Sequence, residues 1–424
     1  MYKTQMYGGV KMTQYNIYND IEKRSGGDVY IGVVGPVRTG KSTFIKKFMD
    51  NLVIPNIPNA YKRERARDEL PQSSAGKTIM TTEPKFIPNE AVKINLTDNA
   101  SLNVRMIDCV GYIVNSALGH IEEDMPRMVK TPWSEEEIPF AEAAEIGTKK
   151  VICEHSNIGI VVTTDGSVTD IPRIDYVEAE SRAINELKEI NKPFIVLLNC
   201  AEPNSENAKR IKKEIELKHN VSVMNVNCAQ LDVDDINSVI ENVLFEFPLK
   251  EISISVPDWV EVLDNDHRLK KTVYDTILSS IKSIQKIKDY KNVVDTLSDC
   301  ENIQSVKLKE INLGEGTVHI EVTTEDNLFY EILGEQCGFE INGKDTLMKL
   351  MSDLANIKRE YEKVEYALKQ VKETGYGIVG PSVDELELAE PEIVKQGGHF
   401  GVKLKASAPS IHIMCNKPKS LEAA

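Results

Sequence analysis

Gly35-Pro36-Val37-Arg38-Thr39-Gly40-Lys41-Ser42 fills every fixed position of G-x-x-x-x-G-K-[ST], the loop that wraps backbone N–H groups around phosphate oxygens. Ahead of it, Val29-Tyr30-Ile31-Gly32-Val33-Val34 is apolar and β-branched, as a buried parallel strand requires. Behind it, Ser42 to Asp50 reads as a helix whose positive end faces the loop. Gly35, Arg38, Thr39, Gly40, Lys41, Ser42 and Thr43 are therefore the expected nucleotide-binding positions. Lys41 would reach the β- and γ-phosphates, and Ser42 would offer its hydroxyl to Mg²⁺.

Two further stretches belong to this loop. Val104-Arg105-Met106-Ile107-Asp108-Cys109-Val110-Gly111 is a strand ending in D-x-x-G; Asp108 would hold Mg²⁺ through water while the Gly111 N–H meets the γ-phosphate. Between loop and strand, polar and proline-containing sequence from Pro71 leads into Thr78-Ile79-Met80-Thr81-Thr82-Glu83-Pro84. Nucleotide switches keep there the threonine that senses the γ-phosphate and completes the metal shell, so Thr81 and Thr82 are candidates for catalysis and metal binding beside Lys41, Asp108 and Ser42.

Strand and helix then alternate: Ile158 to Thr163, Tyr176 to Ile190, Phe194 to Leu198, Ser222 to Val226, Val233 to Glu246. Such alternation specifies an α/β P-loop NTPase domain, a mostly parallel sheet with helices on both faces, with its ligand beyond the carboxyl ends of the strands. The acidic, proline-punctuated stretch 112–147 reads as an insertion or lid. Where a GTPase carries N-K-x-D, this chain has Asn199-Cys200-Ala201-Glu202. Asn199 and Glu202 remain candidate base contacts, with Cys228 and Ala229 in the loop beneath the base. Without the usual Lys and Asp, guanine selection is not expected.

The chain carries 51 Lys plus Arg against 66 Asp plus Glu, a net charge of −15, which disfavours nucleic acid and anionic membranes as broad electrostatic partners. Its 7 cysteines never fall in C-x-x-C spacing, and read as reduced thiols rather than a disulfide framework or zinc site. No apolar run is long enough to span a membrane and the N-terminus lacks a signal-peptide core, so the expected location is the cytosol. The expected organisation is 1–11 a tag or disordered segment, 12–250 the NTPase domain, 251–340 an α+β middle domain, and 341–424 a long helix, Asp345 to Glu373, followed by strands. The hairpin Val306 to Ile311 with Val318 to Val322 belongs to the middle region.

Longer runs narrow the reading. Residues 26–48, the blocks Glu69 to Ser73 and Ala75 to Phe86, Asp108 to Tyr112, Glu142 to Thr148, Thr163 to Gly166 and Thr374 to Ile378 together resemble the stage IV sporulation protein A family of endospore-forming bacteria, from about residue 13 to the end. The resemblance implies a descendant of translation-factor-type GTPases that hydrolyses ATP with Mg²⁺ and polymerises as the basement layer of the spore coat. It implies Lys41 as Walker A lysine, Asp108 as Walker B aspartate and Thr81 or Thr82 as sensor threonine. The implied partners are the chain itself, a small amphipathic peptide on the forespore membrane and other coat morphogenetic proteins, at the forespore surface in the mother cell. The family chain continues with a further helical segment, whereas Asn416 to Ala424 reads as an appended tail. Two other readings stay open: a regulatory GTPase of the translation-factor class, and a nucleotide-binding scaffold without significant turnover. Tyr112 stands where a Ras-like enzyme places its water-positioning Gln, so turnover is expected to be slow.

Overall fold

The computed structural model describes residues 6–7, 10–11, 16–71, 84–97, 100–114, 121–122, 125–131, 134–282, 284–381 and 385–415. It divides into two compact units, Met1–Thr324 and Glu325–Ala424.

The first unit is built on a 6-stranded sheet. In chain order its elements are α1 (Ile17–Ser25), β1 (Asp28–Val34), α2 (Lys41–Phe48), β2 (Lys85–Thr97), β3 (Ala100–Asp108), α3 (Phe140–Lys150), β4 (Ile158–Thr164), α4 (Arg173–Ile190), β5 (Phe194–Asn199), α5 (Glu206–His219), β6 (Val223–Val226) and α6 (Val233–Phe245). The strand order is β6-β5-β4-β1-β3-β2, parallel throughout except for the antiparallel edge strand β2. The central strands are apolar at nearly every position because both sheet faces are covered; all residues of β4 and β5 are buried. Side chains of α1, α2 and α6, among them Ile21, Phe48 and Val243, close over Ile31, Val104 and Ile160 on one face. On the other, Tyr176, Ala183 and Leu187 of α4 and Ile211 and Ile215 of α5 meet Val34, Val161 and Val196.

Stretch 112–147 is not all insertion. Its last part is helix α3, whose Phe140, Ala143 and Ala144 are buried in the core. Acidic, proline-rich composition describes the hairpin at 128–139, but the alanines beyond it are small enough for close helix packing. Within 1–11, Met6–Tyr7 pairs antiparallel with Val10–Lys11.

The same unit holds a second, 3-stranded sheet in the order β7-β9-β8, from β7 (Glu251–Ser255), β8 (Ser305–Asn312) and β9 (Thr317–Thr323), with helices α7 (Arg268–Ile281) and α8 (Tyr290–Ser298) between its first two strands. The expected hairpin is β8-β9, and β7, with the sequence Glu-Ile-Ser-Ile-Ser, adds to it in parallel. A buried ionic knot fixes the chain where it leaves α6. Glu246, 2 % exposed, receives Lys286 and Lys288 at 2.8 Å each and the Ser222 hydroxyl.

In the second unit, α9 (Asp326–Cys337) precedes the 31-residue α10 (Lys344–Thr374), and strands β10 (Tyr376–Val379), β11 (Glu392–Gln396), β12 (His399–Lys403) and β13 (Ile411–Met414) pair as β10-β13 and β11-β12.

Candidate functional site

The carboxyl ends of β1, β3, β4, β5 and β6 converge on the 35–42 loop, and three sets of bonds fix its shape. The Val37 amide donates to the Tyr112 carbonyl at 2.9 Å and the Tyr112 amide to the Gly35 carbonyl at 3.1 Å, a short parallel bridge that staples the loop to the strand end carrying Gly111. Gly111, at φ 94°, has to be glycine: a Cβ there would lie 2.3 Å from the Gly35 carbonyl oxygen and 2.5 Å from the Lys41 Nζ. Its backbone thus stands against the amine that would face the γ-phosphate.

Lys41 is buried, and its Nζ donates to the carbonyls of Pro36 at 2.7 Å and Gly35 at 3.3 Å. Burial lowers its pKa to about 8, against the opposing pull of Asp108 and Cys109. An ammonium held away from water with only carbonyl partners is poised for a stronger anion. The Ser42 Oγ donates to Asp108 Oδ2 at 2.6 Å. Burial raises the Asp108 pKa, while the Ser42 bond and Lys41 hold it down. A hydroxyl and a carboxylate side by side form a hard-oxygen donor pair, which suits Mg²⁺ with water or phosphate completing its shell and does not suit zinc. Thr81 and Thr82, the expected remaining donors, lie outside the described residues. Among the described residues no cluster of His, Cys, Asp and Glu is arranged to hold a metal ion.

The third set ties the loop to the ends of β5 and β6. Asn199 Nδ2 donates to the Thr39 carbonyl at 2.9 Å, and its Oδ1 accepts from the Cys228 amide at 3.0 Å. The residue is a brace between the phosphate loop and the loop after β6. Cys200 is fully buried, its thiol turned towards the Leu198 and Val226 carbonyls, and Glu202 is exposed. Ala229 is exposed and its amide donates to Asn227 Oδ1 at 3.1 Å. The Thr39 side chain is buried, its hydroxyl on the Pro36 carbonyl at 3.0 Å. Thr43 and Arg38 are partly exposed.

Tyr112 is 1 % exposed and its hydroxyl donates to Glu186 of α4 at 2.6 Å. The side chain after Gly111 therefore points into the core and cannot orient water. The sequence did not disclose a second buried pair beside it. Arg173 makes a two-pronged bond with Glu180 at 2.6 and 2.8 Å, and the Thr163 hydroxyl donates to the same carboxylate at 2.6 Å. Arg173 and Glu180 lie 7 residues apart along α4, outside the usual i,i+3 and i,i+4 pairing, and Glu180 is buried.

Comparison with known proteins joins this geometry to a family. The family model for the stage IV sporulation protein A ATPase domain matches residues 12–248, and the model for its middle domain matches residues 249–418. The chain belongs to the stage IV sporulation protein A family. It is 53% identical over 399 residues to stage IV sporulation protein A of Clostridioides difficile strain 630, covering 94% of this chain and 81% of that relative. Against the proteins of the same name from Bacillus subtilis strain 168 and Bacillus anthracis it is 49% identical over 403 residues, covering 95% of this chain and 82% of each relative. The loop, the Ser42–Asp108 pair and the Asn199 brace thus all lie inside an ATPase domain of a sporulation family, and an ATPase domain works on nucleotide with a divalent metal. Among the described residues no helix is long and apolar enough to cross a membrane.

Proposed function

We propose that the chain hydrolyses ATP with Mg²⁺, slowly, and that turnover converts it into the polymer forming the basement layer of the spore coat around the forespore. The observation that carries the reading is the 2.6 Å Ser42–Asp108 pair beside the buried Lys41 amine, within a family ATPase domain. Lys41 neutralises the β- and γ-phosphates. Ser42 and Asp108, with Thr81 or Thr82, hold the metal, which when bound neutralises phosphate charge, and the Gly111 N–H meets the γ-phosphate. Gly35, Arg38, Thr39, Gly40 and Thr43 shape the cradle around the phosphates. Adenine is accepted because Cys200 and Glu202 do not rebuild the guanine contacts. Slowness follows from the inward turn of Tyr112.

The partners that fit are further copies of the chain, other coat morphogenetic proteins and a small amphipathic peptide on the forespore membrane, met from the mother-cell cytosol. A net charge of −15 opposes direct contact with an anionic leaflet, so purified protein should ignore anionic liposomes at physiological salt.

The test is nucleotide consumption with ATP and GTP side by side at rising protein concentration, with sedimentation of the product and Lys41→Ala as control. Slow turnover that prefers ATP, sedimentable product and a silent Lys41→Ala protein are expected. Preference for GTP would return the regulatory GTPase, and binding without turnover would leave a scaffold.

A further inference from the structure

Among the described residues, three that are not glycine hold a positive φ: Arg38 at 63°, Asn191 at 56° and Asn220 at 48°. The two asparagines close the C-termini of α4 and α5, where asparagine is a usual choice. Arg38 lies inside the phosphate loop, where glycine would adopt the same backbone without penalty. A strained non-glycine residue persists where its side chain is needed, and such residues gather at active sites.

The surroundings indicate the need. Val37, Thr39 and Lys41 are buried, so between Gly35 and Lys41 the partly exposed side chain is that of Arg38. Its charge reaches the Tyr176 phenol, whose pKa is raised chiefly by burial and held down by Thr169 and Arg38. The Tyr176 hydroxyl in turn shares a hydrogen bond of 3.0 Å with Thr169.

In hydrolysis the water oxygen bonds to the γ-phosphorus, and the bond to the bridging oxygen breaks with its electron pair leaving on ADP. The proton of the water passes to the phosphate formed. Negative charge grows on the bridging and γ-oxygens, and Lys41 is one cation for both. The position after Gly111 supplies nothing, since Tyr112 is bonded to Glu186. A guanidinium presents two parallel donors to such oxygens.

We infer that Arg38 is an arginine finger supplied in cis by the phosphate loop, moving from the Tyr176 side onto the γ-phosphate as charge develops. The inference rests on the ATPase reading above and names a catalytic residue within it.

The experiment compares the full chain with Arg38→Gly and Arg38→Lys by single-turnover ATP hydrolysis, affinity for a non-hydrolysable ATP analogue, and thermal stability. Arg38→Gly should lose roughly 10³-fold in rate, bind the analogue within about threefold of wild type, and melt at the same or a higher temperature because the strain is gone. Free guanidinium at a low, non-denaturing concentration should restore part of its rate, and Arg38→Lys should remain slow. Normal turnover by Arg38→Gly, loss of binding in proportion to rate, or a lowered melting temperature would each overturn the finger. Wild-type protein that binds ATP and never hydrolyses it would instead sink the ATPase reading, and the finger with it.

Discussion

Residues 1–324 and residues 325–424 contain the same kinds of apolar side chain and treat them in opposite ways. In the first unit Phe44, Ile45, Met49, Phe194 and Leu197 are all buried, layered on both sides of one sheet. Among the described residues of the second, the buried apolar side chains are Ile341 and Ala367. Helix α9 buries none of its residues, and α10 exposes Met351, Leu354, Ile357 and Tyr361 along one side, Ile357 by 63%. The apolar stripe of Leu347, Leu350, Leu354, Ile357, Tyr361 and Val364 is as regular as that of any core helix. A stripe of this kind shows which face of a helix is apolar and says nothing about whether that face is covered. Ion pairs such as Lys358–Glu362 at 3.7 Å and Lys363–Glu360 at 2.8 Å lie along the solvent-exposed surface of α10 and support it only locally.

The largest effect should come from separating the units. Cut between Thr324 and Glu325, the fragment 12–324 should keep a cooperative thermal transition in calorimetry, while 325–424 alone should show none. Apolar burial contributes about 25 cal/mol per Å², and ordering a residue costs about 1.5 kcal/mol; two buried apolar side chains do not cover a unit of this length. A sharp, concentration-independent melt of isolated 325–424 would break the comparison.

Next in size is a matched pair of truncations. Phe194→Ala removes a ring from a strand buried on both faces and should cost about 3–5 kcal/mol in denaturant titration. Ile357→Ala on α10 should stay within about 0.5 kcal/mol. Equal losses at the two sites would mean that α10 is covered after all.

What the sequence disclosed follows the same division. The phosphate loop, the strand ending at Asp108 and the alternation from Ile158 to Glu246 were legible because parallel strands buried on both faces must be apolar almost throughout, and because the phosphate cradle fixes residue types at fixed spacing. Asn199 stood out in the sequence as a candidate base contact. Its work as a brace did not, since that depends on the Thr39 carbonyl and the Cys228 amide, backbone groups that no pattern encodes. The ionic knot at Glu246 escaped for a similar reason. Its lysines lie 40 and 42 residues downstream and are ordinary surface types until the fold buries their partner. Thr81 and Thr82, the expected switch threonines, lie outside the described residues.

Asn199→Ala comes third. It strands a buried acceptor on Thr39 and a buried donor on Cys228, each served by one side chain. A loss of about 2 kcal/mol in unfolding free energy is expected, with weaker nucleotide binding because the loop is no longer held. Asn199→Asp keeps the acceptor for Cys228 and loses the donor to Thr39, so it should fall between. If Asn199→Ala matched wild type in both measurements, the brace would be dispensable and the first unit less tightly specified than its burial implies.

The smallest effect tests whether the first unit is tight even at its margin. Asp20 of α1 faces the hairpin tip, where a Cβ on Gly314 would lie 2.5 Å from its Oδ1. Burial raises its pKa from the ordinary 3.8 to about 6, with Lys23 and the Gly314 backbone bond opposing the rise and Glu315 adding to it. The folded state thus takes up a proton before the unfolded state does. The ionised form costs stability above about pH 6, and the cost fades as the pH falls towards 4. Asp20→Asn keeps an oxygen to accept from Gly314 and removes the charge. Allowing for solvent screening of a partly exposed group, it should gain about 1 kcal/mol at pH 7.5, read as a higher melting temperature. The gain should shrink through pH 6 and vanish near pH 4. A difference independent of pH would show that shape, rather than the buried charge, sets the cost at this contact.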